Sequence, residues 1–215
     1  MGLAGEAVLE NNGSLRTIRN YSAVNIRISH EVKGAADHVL KWLYDGKRFL
    51  NTLIVSPPCC GKTTLLRDVI RQVSEGNEFA KGMTVGVVDE RSEIGGSFQG
   101  IPQNDVGKRT DVLDGCPKAV GMMMLIRAMS PSVIAVDELG SEEEMKALQR
   151  VLQCGCKILA TMHAETAGEA VERMSAGGME SSFFERFLVL DRVDGKCRIK
   201  EVLNRSFQKM DDLLC

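Results

Sequence analysis

Apolar and polar positions divide this chain into two unlike parts. Residues 6–19, EAVLENNGSLRTIR, are two short strand-like runs around Asn12 and Gly13, a pair that predicts a β-hairpin. In residues 24–29, VNIRIS, the positions Val24, Ile26 and Ile28 alternate with polar neighbours, the period of a third strand with one buried face. Arg27 falls on the opposite face, as a solvated charge. Residues 34–45 place Ala36, Val39, Leu40 and Leu43 at helical spacing, which predicts an amphipathic helix leading to Gly46, with His38 on its surface. Residues 1–45 are therefore expected to be a small β-rich appendage with a linking helix, and residues 46–215 the main domain.

From residue 51 the pattern changes to apolar runs alternating with helical periods. Residues 53–66, LIVSPPCCGKTTLL, are an apolar run that breaks into a tight loop and restarts as a helix. That helix shows Leu65, Leu66, Val69, Ile70 and Val73 on one side and stops at Gly76. Strands are predicted at residues 83–88, 132–136 and 157–162, and helices at 117–129, 141–153 and 166–176. Pro117 opens the first of these helices, whose Met122, Met123, Met124 and Met129 are assigned to core packing. Ser141 caps the second, with Glu142, Glu143 and Glu144 in its first turn. Residues 95–115 are polar and glycine-rich, and read as one long loop. A closing hairpin turns at Asp194 and Gly195. This alternation predicts an α/β fold with a mostly parallel sheet covered on both faces.

Composition narrows the function classes. Of the 215 residues 26% are charged and 44% hydrophobic, the profile of a soluble globular protein, and its expected location is cytoplasmic. No apolar run approaches the roughly 18 residues of a membrane span, and the start lacks a signal-peptide pattern. A net charge of −2 gives no general attraction to nucleic acid, which is an unlikely partner unless a local basic patch exists. The seven cysteines match no zinc spacing and read as free thiols, although Cys59 and Cys60 fall in the tight loop, where oxidation would block an incoming ligand.

The chemistry lies at the ends of the apolar runs. Ser56, Pro57, Pro58, Cys59, Cys60, Gly61, Lys62, Thr63 and Thr64 form a phosphate-binding loop, the Walker A pattern GxxxxGK[ST] with serine at its first glycine. If Ser56 took a positive φ, serine would cost about 1 kcal/mol more than glycine there. Lys62 is suited to reach the β- and γ-phosphates of ATP, Thr63 to hold Mg²⁺, and the helix start to face the same anion. Asp137 ends an apolar strand as a Walker B carboxylate does, a second Mg²⁺-ordering group, and Glu138 follows it as a base for attacking water. Asp89, Glu90 and Glu93 end another strand, and Glu90 competes with Glu138 for the base role. His163 ends a third, as a γ-phosphate sensor. Arg91, Arg109, Arg127 and Arg173 could compensate charge, within a subunit or across an interface; Arg109 is placed among the catalytic candidates. An ATP hydrolase is the leading reading. A nucleotide kinase with residues 95–115 as its lid, a DNA-dependent motor and a nucleotide-gated module remain alternatives.

Taken together, NIRISHEVKGAA, SPPCCGKTTLLRD, VVDERSEIGG, RTDVLDGCPK, the Asp137–Glu138 strand and ATMHAE resemble the stage III sporulation protein AA family over nearly the whole chain. The resemblance implies a RecA-like P-loop NTPase similar to the hexameric motors of type II and type IV secretion and pilus systems. VVDERSE and TMHAE resemble the acidic and histidine boxes of those motors, which raises the weight of Glu90. It further implies a hexameric ring, peripheral to a membrane complex, acting on the mother-cell side of a channel to the forespore during endospore formation. Family members carry a longer amino-terminal region, so a chain lacking part of its oligomerising domain is expected.

Overall fold

The computed structural model describes residues 2–26 and 31–210. The chain divides into two units, residues 1–30 and residues 31–215. In the smaller, strands β1 (Gly2–Leu9) and β2 (Leu15–Asn25) pair antiparallel across the expected turn. Asn12 shapes that turn, its Oδ1 accepting from the Ser14 N–H at 2.9 Å, while Gly13 takes φ 81°. The separate third strand expected over 24–29 is not formed as such, because β2 runs on without a break to Asn25; residues 27–30 lie outside the described residues.

In the larger unit the helix expected over 34–45 is replaced by successive tight turns and a 3₁₀ turn at Leu40–Trp42. Val39, Trp42 and Leu43 each donate to the carbonyl three residues back. Such turns also bring Ala36, Val39, Leu40 and Leu43 inward, and all four are buried, so the apolar spacing alone does not separate the two conformations. Short strands β3 (Tyr44–Asp45) and β4 (Arg48–Phe49) then lead into β5 (Thr52–Ser56), which is buried throughout.

The main chain continues as α1 (Lys62–Glu75), β6 (Val85–Asp89), β7 (Thr110–Asp114), α2 (Lys118–Met129), β8 (Val133–Val136), α3 (Glu142–Gln153), β9 (Lys157–His163), α4 (Ala167–Ala176), β10 (Arg186–Val193) and β11 (Lys196–Asn204). Among the described residues, seven strands form one sheet in the order β11-β10-β5-β9-β8-β6-β7, antiparallel only between β10 and β11. Side chains alternate across it. Leu53, Val55, Ile134, Val136 and Ile158 join α2, α3 and α4 in one core layer, while Ile54, Val133, Ala135 and Leu159 join α1 and the turns of residues 36–43 in the other. The fold is α/β, RecA-like, with the small β-rich unit at its amino end and a β-hairpin at its carboxyl end.

Two further expectations change. The long loop of 95–115 contains β7, which needs little apolar content because it is an edge strand, half-buried against β6 and α2. Of the α2 methionines Met122 is fully buried, but Met124 and Met129 are half exposed, because α2 turns only one side to the sheet.

Candidate nucleotide-binding site

Ser56 closes β5, fully buried and in extended backbone, and its Oγ donates to the Pro57 carbonyl at 2.7 Å. The strain considered for serine here therefore does not arise. The left-handed positions of the loop are Cys59 (φ 61°) and Gly61 (φ 76°). Gly61 is also approached by the hairpin β10–β11, since a Cβ there would meet Cys197 Cβ at 3.5 Å. Pro57 is half-buried, Pro58 and Cys59 are exposed, and Cys60 is buried, which pushes its thiol above the ordinary range. No side chain caps α1 at Gly61, whereas Ser141 caps α3 and Thr166 caps α4. The first-turn N–H groups of α1 thus remain turned to the loop, as an anion site requires.

Lys62, Thr63, Asp137, Glu138 and His163 converge beside this loop. Burial holds the Lys62 ammonium below its ordinary value, with the charges of Asp137 and Glu138 pulling the other way. Its Nζ lies 2.7 Å from His163 Nδ1. The same Nζ lies 3.3 Å from His163 Nε2, which is in turn 3.4 Å from Glu138 Oε1. Thr63 Oγ1 donates to Asp137 Oδ2 at 2.8 Å, and Thr161 Oγ1 donates to Asp137 Oδ1. The same Thr161 oxygen accepts the Glu138 N–H at 2.8 Å, pinning a residue whose φ of 56° is unusual outside glycine. Arg91 Nη1 donates to Glu138 Oε2 at 2.8 Å. Thr64 is half-buried in the first turn of α1.

The acids after β6 have unequal roles. Asp89 is buried and accepts three backbone N–H groups, from Glu93, Ile94 and Gly95, at 2.8 to 3.0 Å, so it builds the loop after the strand. Arg67 of α1 donates to the carbonyls of Glu93 and Ile94, each at 2.6 Å, fastening that loop to the helix of Lys62. Glu90, half exposed, has its Oε2 3.5 Å from Lys118 Nζ. Glu90, Asp137, Glu138 and Lys118 line one cavity of about 20 Å³, room for a single water. A cavity of about 590 Å³ opens on the other side of Glu138, lined by Arg91, Lys118, His163 and Arg173.

The arginines separate. Arg91 binds Glu138, and Arg173 Nη1 donates to the His163 carbonyl at 2.6 Å. Arg127 is exposed in the last turn of α2. Arg109 is not brought to the loop: it precedes β7, donates to the Ser74 carbonyl, and lines a cavity of about 1060 Å³ near the opposite end of α1. That cavity contains none of the phosphate-loop or strand-end acids, so its size does not make it the site. Sequence reasoning missed Lys118 and the double role of Thr161. Their partners are some 20 residues away or more, and a lysine in the first turn of a helix, against the helix dipole, was the one available signal for Lys118.

The sequence model of the family described as Sporulation stage III, protein AA matches residues 1–210. The chain belongs to that family. Stage III sporulation protein AA of Bacillus subtilis (strain 168) is 42% identical over 207 residues, covering 96% of this chain and 67% of its own length. Among solved structures this chain is similar to the Legionella pneumophila ATPase DotB, with TM-score 0.62 and 15% identity over 81% of this chain and 51% of DotB. The pilus retraction motor PilT, solved with bound ADP, aligns with TM-score 0.53 and 16% identity over 72% of this chain and 47% of PilT. The chain thus spans about half the length of these two proteins. At such identities the likeness concerns the fold.

Proposed function

We propose that this chain is the ATPase domain of a motor that hydrolyses ATP with Mg²⁺ and powers a secretion-like channel complex between mother cell and forespore. The observation that carries the reading is the convergence of Lys62, Thr63, Asp137, Glu138 and His163 at an uncapped helix start behind a phosphate-type loop. Membership of a sporulation family and a fold shared with the ATPase DotB and the pilus retraction motor PilT support it.

The residues present fit Mg²⁺. Thr63 Oγ1 and Asp137 Oδ2 place a hydroxyl and a carboxylate 2.8 Å apart beside the loop, an all-oxygen set of the kind that ion takes together with phosphate and water. When bound, Mg²⁺ would neutralise charge on the β- and γ-phosphates. The chain's own part is then positioning. The N–H groups of α1 and Lys62 hold the phosphates, Asp137 and Thr63 hold the metal side, and Glu138 or Glu90 accepts a proton from water. His163, in contact with both Lys62 and Glu138, links the γ-phosphate position to the base. The 2.6 Å ties from Arg67 pass movement of α1 to the loop of Glu93, a route from nucleotide state to surface. We take the working form to be a homo-oligomeric ring, a hexamer by family likeness, peripheral to a membrane protein of the complex. Among the described residues no helix is long and apolar enough to cross a membrane.

Residues 95–115, the lid that a kinase reading requires, are instead anchored at one end by the Gly95 N–H on Asp89 and at the other by sheet strand β7, which favours the motor. The test is a pair of variants. Lys62→Ala should abolish ATP binding, and Glu138→Gln should keep binding and lose turnover, measured by nucleotide titration and phosphate release. Unchanged hydrolysis in both would refute the assignment.

A further inference from the structure

We propose that Lys118 is a positioning residue for hydrolysis, tying the backbone of Glu138 to the carboxylate of Glu90, the two residues that compete to activate water; the inference rests on the ATPase reading above. Lys118 is the first residue of α2, where a cation opposes the helix dipole, and its side chain is only 11% exposed. Local preference and desolvation both disfavour it there. What it gains is one hydrogen bond, to the Glu138 carbonyl at 2.7 Å, and two ion-pair partners, Glu144 Oε1 at 3.1 Å and Glu90 Oε2 at 3.5 Å.

The partners belong to three different elements. Glu90 follows β6, Glu138 follows β8, and Glu144 lies in the first turn of α3, where it also completes the capping box with Ser141. The bond to Glu138 is made to its main chain, at the left-handed φ of 56°. Thr161 holds the N–H side of that residue and Lys118 the carbonyl side. Between them they fix the direction in which the Glu138 side chain leaves, toward Arg91 and His163. The same ammonium draws the Glu90 carboxylate to the cavity of about 20 Å³ that Glu90, Asp137, Glu138 and Lys118 share. Sheet pairing sets the ends of β6 and β8 side by side, and Lys118 ties the Glu90 carboxylate after the one to the Glu138 backbone after the other.

The test compares wild type, Lys118→Met and Lys118→Arg in the full chain, measuring kcat, the ATP dissociation constant, the thermal midpoint and the pH dependence of kcat. Methionine keeps the length of the side chain and loses the donors. Expected for Lys118→Met is a kcat lower by about tenfold or more with ATP affinity nearly unchanged, and a displaced acid limb of the pH profile, because the bases are no longer held. Lys118→Arg, which keeps charge and donors, should recover part of the rate. Folded Lys118→Met with wild-type kcat and pH profile would overturn the inference. So would a rate loss matched by an equal loss of ATP-binding sites, which marks a merely structural residue. If Lys118→Met does not fold, Lys118→Gln, which stays polar and loses the charge, decides: wild-type kcat and an undisplaced pH profile overturn the inference, and a lower kcat with a displaced profile and retained ATP affinity supports it. No turnover in wild type would overturn the ATPase reading itself and this inference with it.

Discussion

Thr161→Val isolates the contribution of one oxygen to the site. Thr161 is fully buried in β9, and valine keeps its shape and strand preference while removing the hydroxyl. Two interactions disappear. The Asp137 carboxylate loses a donor, and a hydrogen bond to a charged group is worth about 1.5–3 kcal/mol. The Glu138 N–H loses its acceptor, and an unsatisfied donor costs about 1–3 kcal/mol. Because both pass through one atom they do not add fully, and a loss of about 3 kcal/mol is expected. Thr52→Val is the control. Thr52 is equally buried on the neighbouring strand β5, pairs in register with Leu159, and makes one bond to the Leu50 carbonyl, so its loss should be about 1 kcal/mol. Urea denaturation gives both values, and phosphate release should fall sharply only in Thr161→Val, where the Glu138 backbone is no longer pinned. Equal destabilisation of the two variants would refute the claim that Thr161 supports the site beyond the cost of any buried threonine.

Two further substitutions test the scaffold. Asp68 is buried and accepts from the Ala36 N–H, Arg71 and Gln72; burial works to raise its carboxyl, but these bonds outweigh it and hold the group below its ordinary value of 3.8. A depressed carboxyl contributes stability that is complete above 3.8 and lost as pH falls through the lower folded value. Asp68→Asn should therefore cost about 2 kcal/mol at neutral pH, and the gap from wild type should close in urea titrations at progressively more acid pH. Gly121→Ala should destabilise although alanine favours helices by about 1 kcal/mol, because the new Cβ would lie 2.5 Å from Val88 Cγ1 where α2 crosses β6. A net loss of about 1 kcal/mol in denaturant is expected, and a gain would mean that α2 can lift from the sheet without cost.

Much of the fold was legible because the central strands are buried on both faces, so β5, β6, β8 and β9 read as continuous apolar runs. The same physics hid β7, which as an edge strand needs only Val112 and Leu113 to face its neighbours. Residues 36–43 misled for another reason: spacings of three and four residues suit a chain of i to i+3 turns as well as an α-helix. At the site, Lys62, Thr63, Asp137, Glu138 and His163 were legible because each sits where an apolar run stops. Lys118 and Thr161 act across elements, on partners that local periodicity does not specify.

Strand order explains why those separate stops become one site. β5 pairs with β9 so that Ser56 lies opposite His163, which puts the histidine at the mouth of the phosphate loop. β9 pairs with β8 so that Ala160 lies opposite Val136, and the next residues, Thr161 and Asp137, are then neighbours. β8 pairs with β6 so that Val136 lies opposite Val88, which sets the acids after β6 beside those after β8. The order β5-β9-β8-β6 therefore lays out loop, histidine, Asp137–Glu138 and acidic box as a row. Glu138 occupies the middle of that row, and it is the side chain that reaches His163 on one flank and Arg91 on the other. Glu138 thus stands between the loop end and the acidic end of this sheet edge, with a contact toward each.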